Sequence, residues 1–191
     1  GGLHGVGGSA VNAVSEWCEA EISRDGAIHK QRYERGIPTG PVKVVRKLKP
    51  GEGTGTRITF KFDPILFKGD LDYRFETLMQ RFREMAFVTK GITIKLLDER
   101  DNRQMTFYFE GGITSFVRYL NRERQALHPA FHREQEVDGV IVDVAIQFTD
   151  AYTESVMAFA NTINTVAGGT HMTGLRSAIT RTINDYARKQ G

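Results

Sequence analysis

Cysteine is almost missing from this chain: Cys18 is the only one among 191 residues. A lone thiol excludes an intrachain disulfide, and with only five histidines it also excludes a cysteine-based zinc site. No apolar run approaches the ~20 residues that a membrane-spanning helix requires. Neither sign of charge dominates, since 26 Lys and Arg face 23 Asp and Glu for a net +3. A calculated pI near 9.0 tolerates a nucleic-acid partner without arguing for one. The densest basic stretch, Lys43, Arg46, Lys47 and Lys49, reads as a solvated segment rather than a nucleic-acid patch. No carboxylate pair stands at a spacing suited to acid–base or metal work. Internal repeats and low-complexity tracts are absent, and so is an initial methionine. The chain opens on Gly1, in mid-motif, and is expected to be a piece of a longer polypeptide. With 40% hydrophobic and 26% charged residues, it otherwise has the composition of a globular protein.

Glycine, by contrast, is concentrated. Five of the first eight residues are Gly, in Gly-Gly-Leu-His-Gly-Val-Gly-Gly, and Ser9-Ala10-Val11-Asn12-Ala13-Val14-Ser15 follows at once. Glycine lets a ligand approach the main chain. The first N–H groups of a helix lack intrahelical acceptors and sit at the positive end of its dipole. A glycine loop running into a helix is therefore suited to phosphate. Gly5-Val6-Gly7-Gly8-Ser9-Ala10 also fits a dinucleotide fingerprint, but that motif needs a preceding strand and none is present. Histidine is the side chain suited to proton transfer near neutral pH, so His4 is compatible with either a general base or a positioning role.

Periodicity sets out the rest. Residues 9–17 are expected as a helix capped by Ser9, with Ala10, Ala13, Val14 and Trp17 on one face. Residues 18–35 read as a hairpin turning at Asp25-Gly26. Strands are expected near 42–48 and over 57–62, the latter with Ile58, Phe60 and Phe62 on a buried face. Phe75, Leu78, Phe82 and Met85 predict an amphipathic helix over 73–88. Ile92, Ile94 and Leu96 form a strand, and a turn near Asp101-Asn102 leads to another at 105–109. After Glu110-Gly111-Gly112 a short helix is marked by Ile113, Phe116, Val117 and Leu120. Residues 121–136 read as an exposed connection, 140–148 as the clearest strand, and 154–160 as a second. Gly168-Gly169-Thr170-His171 turns into a long helix with Leu175, Ala178, Ile179, Thr182, Ile183 and Tyr186 on its apolar face.

Three words in this sequence resemble one family. Gly2-Leu3-His4-Gly5-Val6-Gly7 with Val11-Asn12-Ala13-Val14-Ser15 is similar to the ATP-lid and phosphate-gripping motif of the gyrase-type B subunits of type IIA DNA topoisomerases, which are GHKL ATPases. Gly53-Thr54-Gly55-Thr56 resembles the segment whose second Thr helps to read the adenine edge. Asn161-Thr162-Ile163-Asn164 and Gly168-Gly169-Thr170-His171-x-x-Gly174-Leu175-Arg176 resemble the family's transducer signature, continued by Thr180-Arg181 and Asn184-Asp185-Tyr186. Gly8, Val166 and Ala167 depart from the residues usual at those positions.

The resemblance implies an α+β chain. Residues 1–109 would be the later part of a GHKL ATPase α/β sandwich, from the ATP lid onward. Residues 110–191 would be the start of a ribosomal-protein-like transducer domain. It implies ATP binding by Gly2, Leu3, His4, Gly5, Val6, Gly7 and Gly8, with Thr56 and Ile58 at the adenine end. Arg24 would stand at the pocket mouth, although an exposed hairpin charge is an equal reading. Arg176 would face a DNA-holding cavity, although a surface Arg paired with an acid is an equal reading from sequence alone. The family's catalytic Glu, its Mg²⁺-binding Asn and its adenine-reading Asp would precede Gly1, and its switch Lys would follow Gly191, so no catalytic or metal residue is expected here. The implied activity is ATP-driven passage of duplex DNA with negative supercoiling. It would require Mg²⁺, an ATP-dependent B-subunit dimer and a heterotetramer with the A subunit, in the cytoplasm and away from membranes. The corresponding component of topoisomerase IV, a decatenase, is the alternative within the family. Another GHKL ATPase, such as a chaperone or mismatch-repair protein, is the alternative outside it.

Overall fold

The computed structural model describes residues 5–69 and 72–191. The chain forms two compact units, the first ending at Tyr73 and the second running Arg74–Gly191. No helix among the described residues is long and apolar enough to cross a membrane.

In the first unit a short helix α1 (Gly7–Ala13) precedes strands β1 (Ser15–Arg24), β2 (Ala27–Glu34), β3 (Ile37–Pro38), β4 (Lys43–Lys47) and β5 (Gly55–Phe62). The order is β3-β2-β1-β5, with β4 pairing β2 beside β3. Asp25 and Gly26 both take positive φ, which fits the expected two-residue hairpin turn. The helix expected over 9–17 is shorter and earlier. Its N-cap is Val6, without a side-chain cap, and Ser9 lies inside it. Ser15 begins a strand because β1 is claimed on both edges: Trp17 pairs with Glu34 on β2 and with Lys61 on β5. Two-sided pairing outweighs the local helical pattern that had placed Trp17 on α1. Ser15, 1% exposed, donates its hydroxyl back to the Val11 carbonyl at 2.5 Å. The Asp63 N–H donates to the Val14 carbonyl at 3.0 Å. These two bonds fix α1 against the far end of β5.

The expected buried face on β5 is open instead. Ile58 and Phe60 are exposed, as is Ile22 on β1, and only Phe62 is half-buried. Ile22, Ala20 and Cys18 stand opposite Thr56, Ile58 and Phe60. The alternation is thus real and forms a continuous apolar face, but no described residue of this unit covers its outer part. The unit's buried apolar residues are Cys18 and Ile28.

The second unit has a denser core. Helix α2 (Phe75–Val88) is followed by the hairpin β6 (Ile94–Asp98) and β7 (Arg103–Phe107), then by α3 (Gly112–Leu120). Phe87 stacks on Phe109 at a centroid distance of 3.6 Å and on Phe116 at 4.6 Å. Phe75, Ala86, Leu96 and Phe107 are also buried in this unit. The face of α2 differs from the expected one in its last turn. Met85 is exposed, while Ala86 and Phe87 are buried, because α3 and the β6–β7 hairpin cover the latter side. Residues 74–109 thus pack with α3 in the same compact unit.

Residues 121–136 contain a strand that was read as a connection. β8 (Phe131–Val137) pairs in register with β9 (Val140–Ile146). The sequence His132-Arg133-Glu134-Gln135-Glu136 hides it, because a ribbon exposed on both faces needs no apolar alternation. The strand expected at 154–160 reduces to two residues, β10 (Phe159–Ala160), paired with β11 (Ile163–Asn164) around a turn containing Asn161 at positive φ. Helix α4 (Thr170–Gln190) closes the chain. Its expected apolar stripe is only partly covered: Leu175 and Ile179 are half-buried, and Ile183 and Tyr186 are exposed.

Candidate nucleotide-binding segment and transducer corner

Gly2, Leu3 and His4 lie outside the described residues. Gly5 takes φ +63°, a conformation that favours glycine. Val6 follows as the N-cap, and the first intrahelical bond runs from the Ala10 N–H to the Val6 carbonyl at 2.8 Å. The N–H groups of Gly7, Gly8 and Ser9 precede that bond, in the turn where a helix offers them no acceptor. A Cβ built on Gly7 or Gly8 would meet no atom within 4 Å. Packing among the described residues therefore does not call for glycine at either position, and their φ values are not in the left-handed region. Two adjacent glycines in a helix cost stability.

Thr56 and Ile58 share a face of β5, opposite Ile22 and Ala20. Ser23 pairs with Gly55, so Arg24 stands at the end of the sheet where β5 enters. Arg24 is exposed and pairs with its neighbour Asp25 at 3.4 Å. Thr56, Ile58 and Arg24 thus gather at one end of the sheet. The helix that follows the glycines is tied to the Phe62 end, six residues or about 20 Å away.

Asp63 is the residue whose part in this site the sequence reading missed. It is 2% exposed and accepts from Arg35 Nε at 2.6 Å and from the Ile65 N–H at 2.9 Å. The Ile65 N–H, then the Arg35 guanidinium, hold its carboxyl below the usual aspartate range. With its own N–H on Val14, Asp63 joins the end of β5, the β2–β3 turn and the end of α1. Arg35 lies 28 residues away along the chain, so no local pattern announces the pair.

At the other motif, the His171 ring packs close over Gly169. A Cβ there would fall 2.6 Å from His171 Cε1. The Thr165 hydroxyl donates to the Ala158 carbonyl at 3.0 Å, leaving its oxygen to accept from His171 Nε2, also at 3.0 Å. The Gly-Gly-Thr-His corner therefore locks the start of α4 onto the 158–165 hairpin. Arg176, one turn further on, is exposed and reaches Glu154 Oε1 at 2.5 Å and Oε2 at 3.4 Å. This acid was not foreseen. It is 22 residues back, in a segment read as strand. Among the described residues no three of His, Cys, Asp or Glu converge as metal ligands.

Comparison with known proteins fits this arrangement. Residues 112–191 match the family model for DNA gyrase B. The whole chain aligns with the B subunit of DNA topoisomerase 4 from Streptococcus pneumoniae at 45% identity, covering 100% of this chain and 29% of that protein. It aligns with the B subunit of DNA gyrase from Clostridium acetobutylicum at 47%, covering 100% of this chain and 30% of that protein. The chain belongs to the DNA gyrase B family. Its fold matches the 43K ATPase domain of Thermus thermophilus gyrase B, solved with an aminocoumarin, at a TM-score of 0.84 and 36% identity over 98% of this chain and 51% of that one. The topoisomerase IV ATP-binding domain of Francisella tularensis, solved with a small-molecule inhibitor, gives 0.79 and 28% over 99% of this chain and 51% of that one. This member of the family thus spans about 30% of the length of the curated relatives it matches.

Proposed function

We propose that this chain provides the ATP lid and the head of the transducer in the B subunit of a DNA gyrase, coupling ATP binding and hydrolysis to duplex passage and negative supercoiling. The observation that carries the reading is Gly7-Gly8. Two helical glycines that nothing among the described residues requires open the first turn of α1 to an anion. In this reading, backbone N–H groups of Gly5–Gly8 grip the triphosphate, with Gly2, Leu3 and His4 completing the lid. Thr56 donates and accepts at the adenine end. Ile58 walls that end and Arg24 stands at its mouth. The open apolar face of β5 is where the base would lie. The division of labour is 1–109 for the ATPase domain and 110–191 for the transducer, with Arg176 directed at duplex DNA.

ATP supplies the free energy and magnesium its charge compensation. In this reading the ion's ligands lie in other parts of the full-length protein. The chain's own residues bind and orient, and the general base also lies elsewhere in the full-length protein. The partners proposed are double-stranded DNA, a second copy of the B subunit and the gyrase A subunit, in the cytoplasm. Topoisomerase IV is the second reading, favoured by relatives of that name at nearly equal identity. One assay separates them. A full-length protein carrying this segment, assembled with its A subunit, should supercoil relaxed circular DNA when ATP is added. Decatenation without supercoiling would assign topoisomerase IV, and ATP-independence of both would overturn the proposal.

A further inference from the structure

Helix α4 is two-sided. At 100° per residue, Leu175, Ile179, Ile183 and Tyr186 fall in one arc. Ser177, Thr180, Arg181, Asn184 and Arg188 fall on the other side, Arg176 sits at the edge between the two, and Asp185 lies among them on the exposed surface of the helix. Arg176 to Arg188 spans about 18 Å at 1.5 Å per residue, a row that can face several backbone phosphates of a duplex. The acids beside this row are few. Asp185 sits 4.0 Å from Arg188, and Arg181 has no ion pair among the described residues. Arg176 differs. Glu154, from the loop before β10, presents both carboxylate oxygens to its guanidinium. A carboxylate so placed occupies the donor fork that a phosphate would use.

We infer that Glu154 is the counter-ion that duplex phosphates must displace from Arg176, and that it sets how readily the polar face of α4 takes a nucleic-acid backbone. The inference rests on the proposed DNA-facing role of Arg176. Glu154 is part of the same compact unit, so it competes at a fixed effective concentration however dilute the solution. A lone anion contacting one arginine competes poorly with it. A duplex that also reaches Arg181 and Arg188 offsets the exchange through those contacts. Both partners are more than half exposed, at 59% and 58%, so the pair is weak enough to tune binding rather than block it.

The test is a DNA titration of ATPase stimulation, using a full-length protein that carries this segment. Glu154→Gln should lower the duplex concentration giving half-maximal stimulation by up to about five-fold at low salt, with the gain shrinking as salt rises. Arg176→Gln should raise that concentration, and adding Glu154→Gln to it should change nothing further. An unmoved midpoint in Glu154→Gln, beside a clear deficit in Arg176→Gln, overturns this inference and leaves the DNA-facing role of Arg176 standing. The same gain from Glu154→Gln in both backgrounds also overturns it, because the acid would then act through the general field. A normal midpoint in Arg176→Gln would remove the DNA-facing role and this inference with it.

Discussion

The sheet of the first unit and the helical core of the second solve the same problem with different means. The second unit buries Phe75, Ala86, Phe87, Leu96, Phe107 and Phe116, and two stacked ring pairs involve Phe87. The first unit buries Cys18 and Ile28 but leaves Ile22, Ile58 and Phe60 exposed along one face. Its order comes from strand pairing on both edges of β1 and from Asp63, which joins three elements through Arg35, Ile65 and Val14. Apolar surface kept open is expensive for stability and useful for a base or another chain segment. The candidate nucleotide residues Thr56 and Ile58 lie on that open face, and the packed aromatic centre carries none of them.

The largest effect that would sharpen the contrast is a matched pair of truncations. Phe87→Ala should cost about 3–5 kcal/mol in denaturant unfolding followed by far-ultraviolet circular dichroism, since the ring is 1% exposed. Phe60→Ala should cost about 1 kcal/mol or less, read through Trp17, the only tryptophan and a residue of the same sheet. Equal costs would erase the distinction between a packed core and an open face.

Acid titration gives a smaller effect. Arg100 holds the Asp98 carboxyl down to about 2, chiefly by side-chain hydrogen bonding. Asp63 is depressed as well. Carboxyls whose folded pKa lies below the unfolded value of about 4 contribute stability that is complete above pH 4 and lost as pH falls through the folded pKa. The second unit should therefore weaken between about pH 4 and 2, and the first should weaken as pH falls below about 4. Asp98→Asn should flatten that fall for the second unit, with Asp63→Asn doing so for the first. An unchanged acid limb in both variants would show that these pairs do not hold their units together.

The contrast also explains what the chain's letters disclose. Turn chemistry was legible wherever one residue type demands it: Asp25-Gly26 and Asp101-Asn102 fall where expected, with Asp25, Gly26 and Asn102 at positive φ. The helix around Phe82 was legible from its period, and Phe75, Leu78 and Phe82 are covered as expected, but the burial of Ala86 and Phe87 in place of Met85 was not legible, because α3 and the β6–β7 hairpin decide it from a distance. β8 was missed for want of an apolar face, although Asp138-Gly139 before Val140 is a hairpin signal that identifies it. The nucleotide and transducer motifs were readable as words, since glycines and their spacing are local. The acids that organise them, Asp63 and Glu154, were not, since each meets its arginine 28 or 22 residues away.

The central claim is that the Gly5–Gly8 segment grips a triphosphate, and calorimetry tests it most directly. A non-hydrolysable ATP analogue is titrated into a full-length protein carrying this segment, and into its Gly7→Val variant with matched circular dichroism. A branched side chain at Gly7 would keep phosphate oxygens from the first-turn N–H groups. Losing one or two hydrogen bonds to a charged group should weaken binding by about ten-fold or more. Unchanged affinity in Gly7→Val would contradict the account.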